Sequence, residues 1–278
     1  MRGESRFFEI DLFRGIAILM MMLFHTLFDI SFFGIAQVNV SSGFWRYFAF
    51  ATATLFLFLV GVSLVVSHAR AARNLAGFAL ARKFLLRGAG IFLLGLGITV
   101  VTWFYLREGF ILFGILHLIG ISVMLSPLFF RFRKYNIVIG IACILIGWFV
   151  IGSLGTVLSQ SFAIPPAGAW SAGYMPMIPW TLTGTVIPLL LLPLGIHAAS
   201  FVTVDYEPLF PFFGVVLIGM GTGELLYGEG IRHFTIPKIP DFLVSPLSFL
   251  GRHSLVIYLV HQPVIVLLLG VITGTKVL

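Results

Sequence analysis

The chain has 278 residues, of which 59% are hydrophobic and only 10% charged, and its mean hydropathy is +1.10. Soluble domains carry about 25% charged residues, so this composition excludes a soluble globular protein. The net charge of +7 sits in particular loops, which points to membrane topology and away from nucleic-acid binding, and the single cysteine, Cys143, excludes an internal disulfide.

The apolar runs are far longer than the ~9–11 residues of a membrane β-strand, so the spans are helices. About eight are expected, over 8–30, 46–67, 84–105, 109–129, 136–156, 179–198, 209–228 and 248–272. The fold class is therefore all-α: a polytopic integral membrane helix bundle forming one domain over 1–278. Thirty Phe suit lipid-facing surface, and thirty Gly allow close helix contact that also permits a homodimer. The opening MRGESRFFEIDLFRG mixes acidic and basic residues and leads into a long span. It lacks the short apolar stretch and small-residue cleavage site of a signal peptide, so the first span is expected to stay in the mature protein. The uncharged segment 157–178, with its Pro and Gly, reads as a loop folding back over the bundle.

Orientation follows from the Lys/Arg bias of short loops. One side collects Arg2, Arg6, Arg70, Arg73, Arg82, Lys83, Arg87, Arg131, Arg133, Lys134 and Lys276, and the other has Arg46, Arg107, Arg232, Lys238 and Arg252. The richer side is expected to be cytoplasmic, with both termini there, in the plasma membrane.

Three histidines lie inside these spans: His25, His117 and His261. A titratable side chain at membrane depth is costly and faces a bundle interior or a water-filled cavity. At a rise of about 1.5 Å per residue, His25 stands roughly 25 Å from the cytoplasmic start of its span. His117 is some 13 Å past Glu108 at the outer end of the fourth span, and His261 is near the midplane. All three fit one layer of the bundle.

His25 and Asp29 are four residues apart and share a helix face. A carboxylate that accepts from one ring nitrogen leaves the other as a base for an amine or hydroxyl. The competing reading is a buried histidine bonded to a carbonyl, with Asp29 at the membrane surface. Arg14, three residues after Asp11, either holds a phosphate or carboxylate or makes a local ion pair. Arg82, Lys83 and Arg87 suit an anionic cytosolic ligand, although positive loops also stay inside for topology alone. Asp205, Tyr206 and Glu207 interrupt the apolar sequence on the expected cytoplasmic side, where contact with an adenine or ribose competes with pairing to basic loops. Glu224, Arg252 and His253 are placed toward the outer side, as contacts to an external substrate or as ordinary interfacial residues. The histidines lie on different helices, so no metal site is expected, and no phosphate-cradling Gly loop, HExxH helix or GxSxG turn occurs.

RFFEIDLFRGIAILMMMLFHTLFDI resembles the opening span of the heparan-α-glucosaminide N-acetyltransferase catalytic-domain family in its short prokaryotic form. ATATLFLFLVGVSL, FGILHLIGISVM, DYEPLFPFFGVVLIGM and FLGRHSLVIYLVHQPVI resemble later blocks of the same family, in the same order. The spacing from Arg14 to His25 also resembles that of the wider membrane acyltransferase group that O-acetylates surface glycans. The resemblance implies an acyl group moved from cytosolic acetyl-CoA to an amine or hydroxyl of an extracytoplasmic sugar or glycan, with His25 as the best match to the catalytic histidine; together with the reading of the residues it gives His25, oriented by Asp29, as base and His117 as an oxyanion donor. In the lysosomal branch the implied histidine lies a little after the first span, where this chain has no equally clear one. A proton-coupled transporter is the alternative reading of intramembrane His and Asp, although no inverted repeat is visible.

Overall fold

The computed structural model describes residues 6–106, 109–151, 191–196, 203–237 and 239–274. The expected loop 157–178 and most of the expected span 179–198 lie outside the described residues, as do Arg2, Arg107, Glu108, Lys238 and Lys276. Among the described residues the regular structure is helical, with one isolated bridge between Phe113 and Tyr206. The long helices are α1 (Phe8–Phe32), α2 (Gly43–Ala71), α3 (Gly77–Leu106), α4 (Ile115–Phe129), α5 (Asn136–Leu145), α6 (Leu209–Tyr227), α7 (Asp241–Arg252) and α8 (Ser254–Thr273). Among the described residues six helical stretches are long and apolar enough to cross a membrane, so the chain is a multi-pass membrane protein. One of the six, Ile115–Phe149, contains a break at Arg133, whose φ of 47° ends the helical path between α4 and α5.

The chain divides into two compact units, Met1–Leu59 with Phe234–Leu278, and Val60–His233. In the first unit α1 packs on α7 and α8. The α1–α7 crossing is built on two glycines. A Cβ on Gly15 would strike the Leu247 carbonyl, and one on Gly251 would strike the Asp11 carbonyl. Side chains thus give way to backbone contact, as small residues allow in membrane helices.

The expected span 248–272 is two helices. The chain turns at His253 (φ −101°, ψ 14°), ending α7 before α8 begins at Ser254. Gly251 lies against Asp11, near the start of α1, whereas Gln262 on α8 reaches Asp29, near its end. Both α1 and α8 therefore run in the same direction, and Phe8 and Thr273 stand at opposite ends of the unit. Hydropathy detects one apolar run and misses the turn within it.

In the second unit α3 packs on α4, and α5 on α6. At the α5–α6 crossing Gly140 and Gly214 face each other, each Cβ position being 2.5 Å from the other's carbonyl oxygen. α6 begins beside the end of the α5 run, where Gly147 meets Pro211, and ends beside its start, where Gly221 meets Ile137. The two helices are antiparallel. Exposed Phe104, Leu93, Trp148 and Phe149 are the side chains such helices turn toward lipid.

Candidate functional site: a histidine pair beside a carboxylate–amide pair

Two of the three intramembrane histidines meet in the first unit. His25 on α1 and His261 on α8 have ring centroids 4.8 Å apart at an interplanar angle of 59°. One turn further along α1, Asp29 is only 2% exposed, and its Oδ1 accepts a 2.7 Å hydrogen bond from Nε2 of Gln262. The expected Asp29–His25 pairing is thus corrected: Asp29 is held across helices by an amide. The i, i+4 spacing put both groups on one face of α1, but a partner on α8 reached the carboxylate.

The hydrogens here can be assigned from chemistry. A carboxylate oxygen accepts, so the Gln262 amide presents nitrogen to Asp29 and turns its Oε1 elsewhere. His261 Nδ1 is 2.6 Å from the Tyr258 carbonyl. A carbonyl only accepts, so Nδ1 carries the hydrogen and Nε2 of the neutral ring holds a lone pair. Asp29 Oδ2, Gln262 Oε1 and His261 Nε2 are buried without a hydrogen-bond partner among the described residues. Native proteins pair nearly all buried polar atoms. Three unpaired acceptors on two neighbouring helices define a place suited to a ligand rich in N–H or O–H. Pro263 follows directly and offers no N–H to the Leu259 carbonyl, which loosens α8 beside this cluster.

Sequence reasoning passed over Gln262. Its signal was available, because His261, Gln262 and Pro263 form a polar, helix-breaking step within an apolar run.

The other end of α1 carries charge. Asp11 accepts from Arg14 at 3.3 Å, and Arg6 lies 3.9 Å away. The local ion pair weighed from sequence is therefore present. Arg252 and His253 lie at this end, next to Gly251, and not at the opposite face. His253 Nδ1 sits 2.9 Å from the Phe249 carbonyl, closing α7. Both are exposed.

His117, expected as an oxyanion donor, belongs to the second unit. The Gly114 N–H donates to its Nδ1 at 3.2 Å, which leaves the hydrogen on Nε2, 3.3 Å from Thr99 Oγ1. Both ring nitrogens are occupied, and the ring rests on Gly95, where a Cβ would come within 3.1 Å of three imidazole atoms. Gly95→Ala should press on this ring and destabilise the α3–α4 pair by roughly 1–3 kcal/mol, measurable as a lower detergent melting temperature.

Asp205 and Tyr206, expected as nucleotide contacts on the basic side, lie in a segment that pairs with the residues before α4. Residues 203–207 join 109–115: Val204 N donates to the Gly109 carbonyl at 3.0 Å, Glu207 N to the Phe113 carbonyl at 3.1 Å, and Ile115 N to Asp205 Oδ2 at 3.3 Å. Asp205 thereby satisfies the first turn of α4, the end of that helix expected outside. The Tyr206 hydroxyl donates to the Leu192 carbonyl at 2.7 Å, and burial raises its pKa.

Burial raises Asp205 to about 6 from 3.8, opposed by the Ile115 N–H. Burial and then Asp205 push Glu207 well up. A folded pKa above the unfolded one means that the native state binds more protons between the two values. The associated stability is complete below about pH 4 and lost as pH rises through about 6. Melting temperature should therefore rise on acidification from pH 7 to 5, and Asp205→Asn should flatten that slope. A slope unchanged in Asp205→Asn would reject the assignment.

Glu224, expected as an external contact, pairs with Arg133. Its Oε1 accepts from both Nε and Nη2 of Arg133, each at 2.6 Å, at the basic turn after α4. Charge bias assigns sides to loops but does not test which helix ends meet, so Asp205 and Glu224 exchanged ends. Beside this ion pair lies a cleft of about 420 Å³ lined by His68, Arg73, Phe130, Arg133, Asn136 and Glu224. His68 stacks on Phe130 at 3.9 Å, and Asn136 Oδ1 is buried without a partner among the described residues. Arg82, Lys83 and Arg87 are exposed on α3, with Arg87 3.4 Å from Ser67 Oγ. No group of three metal-ligating side chains occurs among the described residues.

The described residues thus form a helical, multi-pass membrane protein in which His25 and His261, and Asp29 and Gln262, meet between α1 and α8. The comparison with protein families defines it further. The model of the heparan-alpha-glucosaminide N-acetyltransferase catalytic domain matches residues 6–187 and 183–263, and the chain belongs to that family of transmembrane acyltransferases. No curated protein and no solved structure matches the chain.

Proposed function

We propose that the chain, acting as one domain over 1–278, transfers an acetyl or other acyl group from cytosolic acyl-CoA to an amine or hydroxyl of a sugar or glycan across the plasma membrane. The catalytic centre is the cluster of His25, His261, Asp29 and Gln262. The observation that carries this reading is the group of three buried, unpartnered acceptor atoms beside a histidine pair, in a chain of an acetyltransferase family. A nucleophile must lose a proton, and a neutral imidazole is suited to receive it near pH 7. Between the two nucleophiles, a primary amine brings more hydrogens to three acceptors than a hydroxyl does, so the amine is favoured.

Arg14, eleven residues before His25 on α1, supplies a cation for the phosphates of the donor. Arg82, Lys83 and Arg87 remain candidates for the same anion. The alternative transporter reading has the cluster but not the family behind it.

Acetyl-CoA binding to the purified protein in detergent tests the donor. At about 100 times its dissociation constant a ligand stabilises by roughly 2.7 kcal/mol. A rise in melting temperature with acetyl-CoA, absent with GTP, is expected. No rise up to millimolar acetyl-CoA in folded protein would contradict acyl-CoA dependence.

A further inference from the structure

We infer that Nε2 of His261, not a nitrogen of His25, takes the proton of the nucleophile, and that Asp29 and Gln262 form its positioning pair. The inference rests on the acyltransferase reading and names the working atom of that site. Two adjacent imidazoles offer four nitrogens, and the geometry separates them. The Tyr258 carbonyl fixes the His261 tautomer at 2.6 Å, so the lone pair is on Nε2, buried and unpartnered. A base needs that arrangement: one nitrogen anchored, the other bare. The anchoring group is a backbone carbonyl three residues back on the same helix, so the ring direction is set by α8 itself.

Among the described residues His25 has no comparable anchor. The acid one turn away on its own helix, Asp29, is engaged by Gln262. Its ring instead packs against Phe24 at 5.9 Å and His261 at 4.8 Å. His25 thus forms a wall of the site and limits the rotation of the His261 ring. Gln262 follows His261 directly on α8, and its bond to Asp29 ties the base-bearing helix to α1. That bond leaves Gln262 Oε1 and Asp29 Oδ2 as two further acceptors for hydrogens on the nucleophile.

The step then balances. The nucleophile's lone pair forms a bond to the thioester carbonyl carbon of the acyl-CoA. Its proton passes to His261 Nε2. The carbon–sulfur bond breaks with its electron pair going to sulfur, and the proton on Nε2 passes to that thiolate, so coenzyme A leaves as the free thiol and the imidazole returns neutral. No oxidant or metal enters.

The test uses the full chain in detergent, acetyl-CoA as donor and glucosamine as amine probe, with release of free thiol followed across pH 5.5–8.5. His261→Gln should lower kcat/KM at least 100-fold, the scale of a lost general base, and abolish the acid limb of the pH profile. His25→Gln should keep that limb. Imidazole added to His261→Ala should restore part of the rate, and added to His25→Ala should restore none. Gln262→Leu should raise the KM for glucosamine about tenfold with the KM for acetyl-CoA unchanged, a split that general damage to the fold would not produce. If His261→Gln melts early, His261→Asn replaces it, and the imidazole comparison decides. An acid limb lost in His25→Gln and kept in His261→Gln would overturn the inference while leaving the acyltransferase reading standing. No thiol release by the wild-type protein with either glucosamine or glycerol would overturn both.

Discussion

Gly251→Val should strongly destabilise the first unit. The added Cβ would enter the space of the Asp11 carbonyl oxygen, and its three nearest neighbours there are all backbone atoms. Backbone within two packed helices cannot swing aside as a side chain can. Gly15 makes the same contact with Leu247 one turn along the crossing, so the two helices would have to separate over their whole interface. Overpacking of an ordinary core costs about 1–3 kcal/mol, and this site lies at or beyond the upper end. A cost of ~3 kcal/mol corresponds to a fall in melting temperature of roughly 10 °C for a chain of this size. Gly90→Val is the control, because a Cβ there meets nothing within 4 Å, and it should melt near the wild-type temperature. Equal melting of the two variants would mean that the α1–α7 crossing is not built as described.

Replacing both histidines, His25→Ala with His261→Ala, should lower acyl transfer by about 10²–10⁴, the contribution of a positioned base. Residues acting as one unit are not additive, so the double variant should lose little more than the worse single one. The acetyl-CoA-dependent rise in melting temperature should persist, because cations for the donor's phosphates, such as Arg14, stand at the other end of α1, eleven residues or roughly 16 Å away. Loss of donor binding together with transfer would place these rings in the donor site instead.

The membrane class and most helix positions were legible in hydropathy alone, because crossing a bilayer demands long apolar runs whatever the packing. The meeting of His25 and His261 was legible as depth, since both fall in one layer when residues are converted to height. His117 satisfied the same arithmetic and yet closes the first turn of α4, because depth does not specify the face. Asp29 showed the limit of local spacing: four residues from His25, it answers to Gln262, 233 residues away in sequence. The sides of Asp205 and Glu224 were not legible, since loop charge says nothing about the pairing of 203–207 with 109–115 or of Glu224 with Arg133. The turn at His253 was hidden within continuous apolar sequence.

Transfer across a sealed bilayer tests the central claim most directly. The protein would be reconstituted in vesicles with glucosamine trapped inside and acetyl-CoA carrying a radiolabelled acetyl group added outside. Labelled N-acetylglucosamine accumulating inside, at a rate that falls at least 100-fold with His261→Gln, is the predicted result. Sealed vesicles that bind acetyl-CoA but form no labelled product inside, in either orientation of the protein, would contradict it.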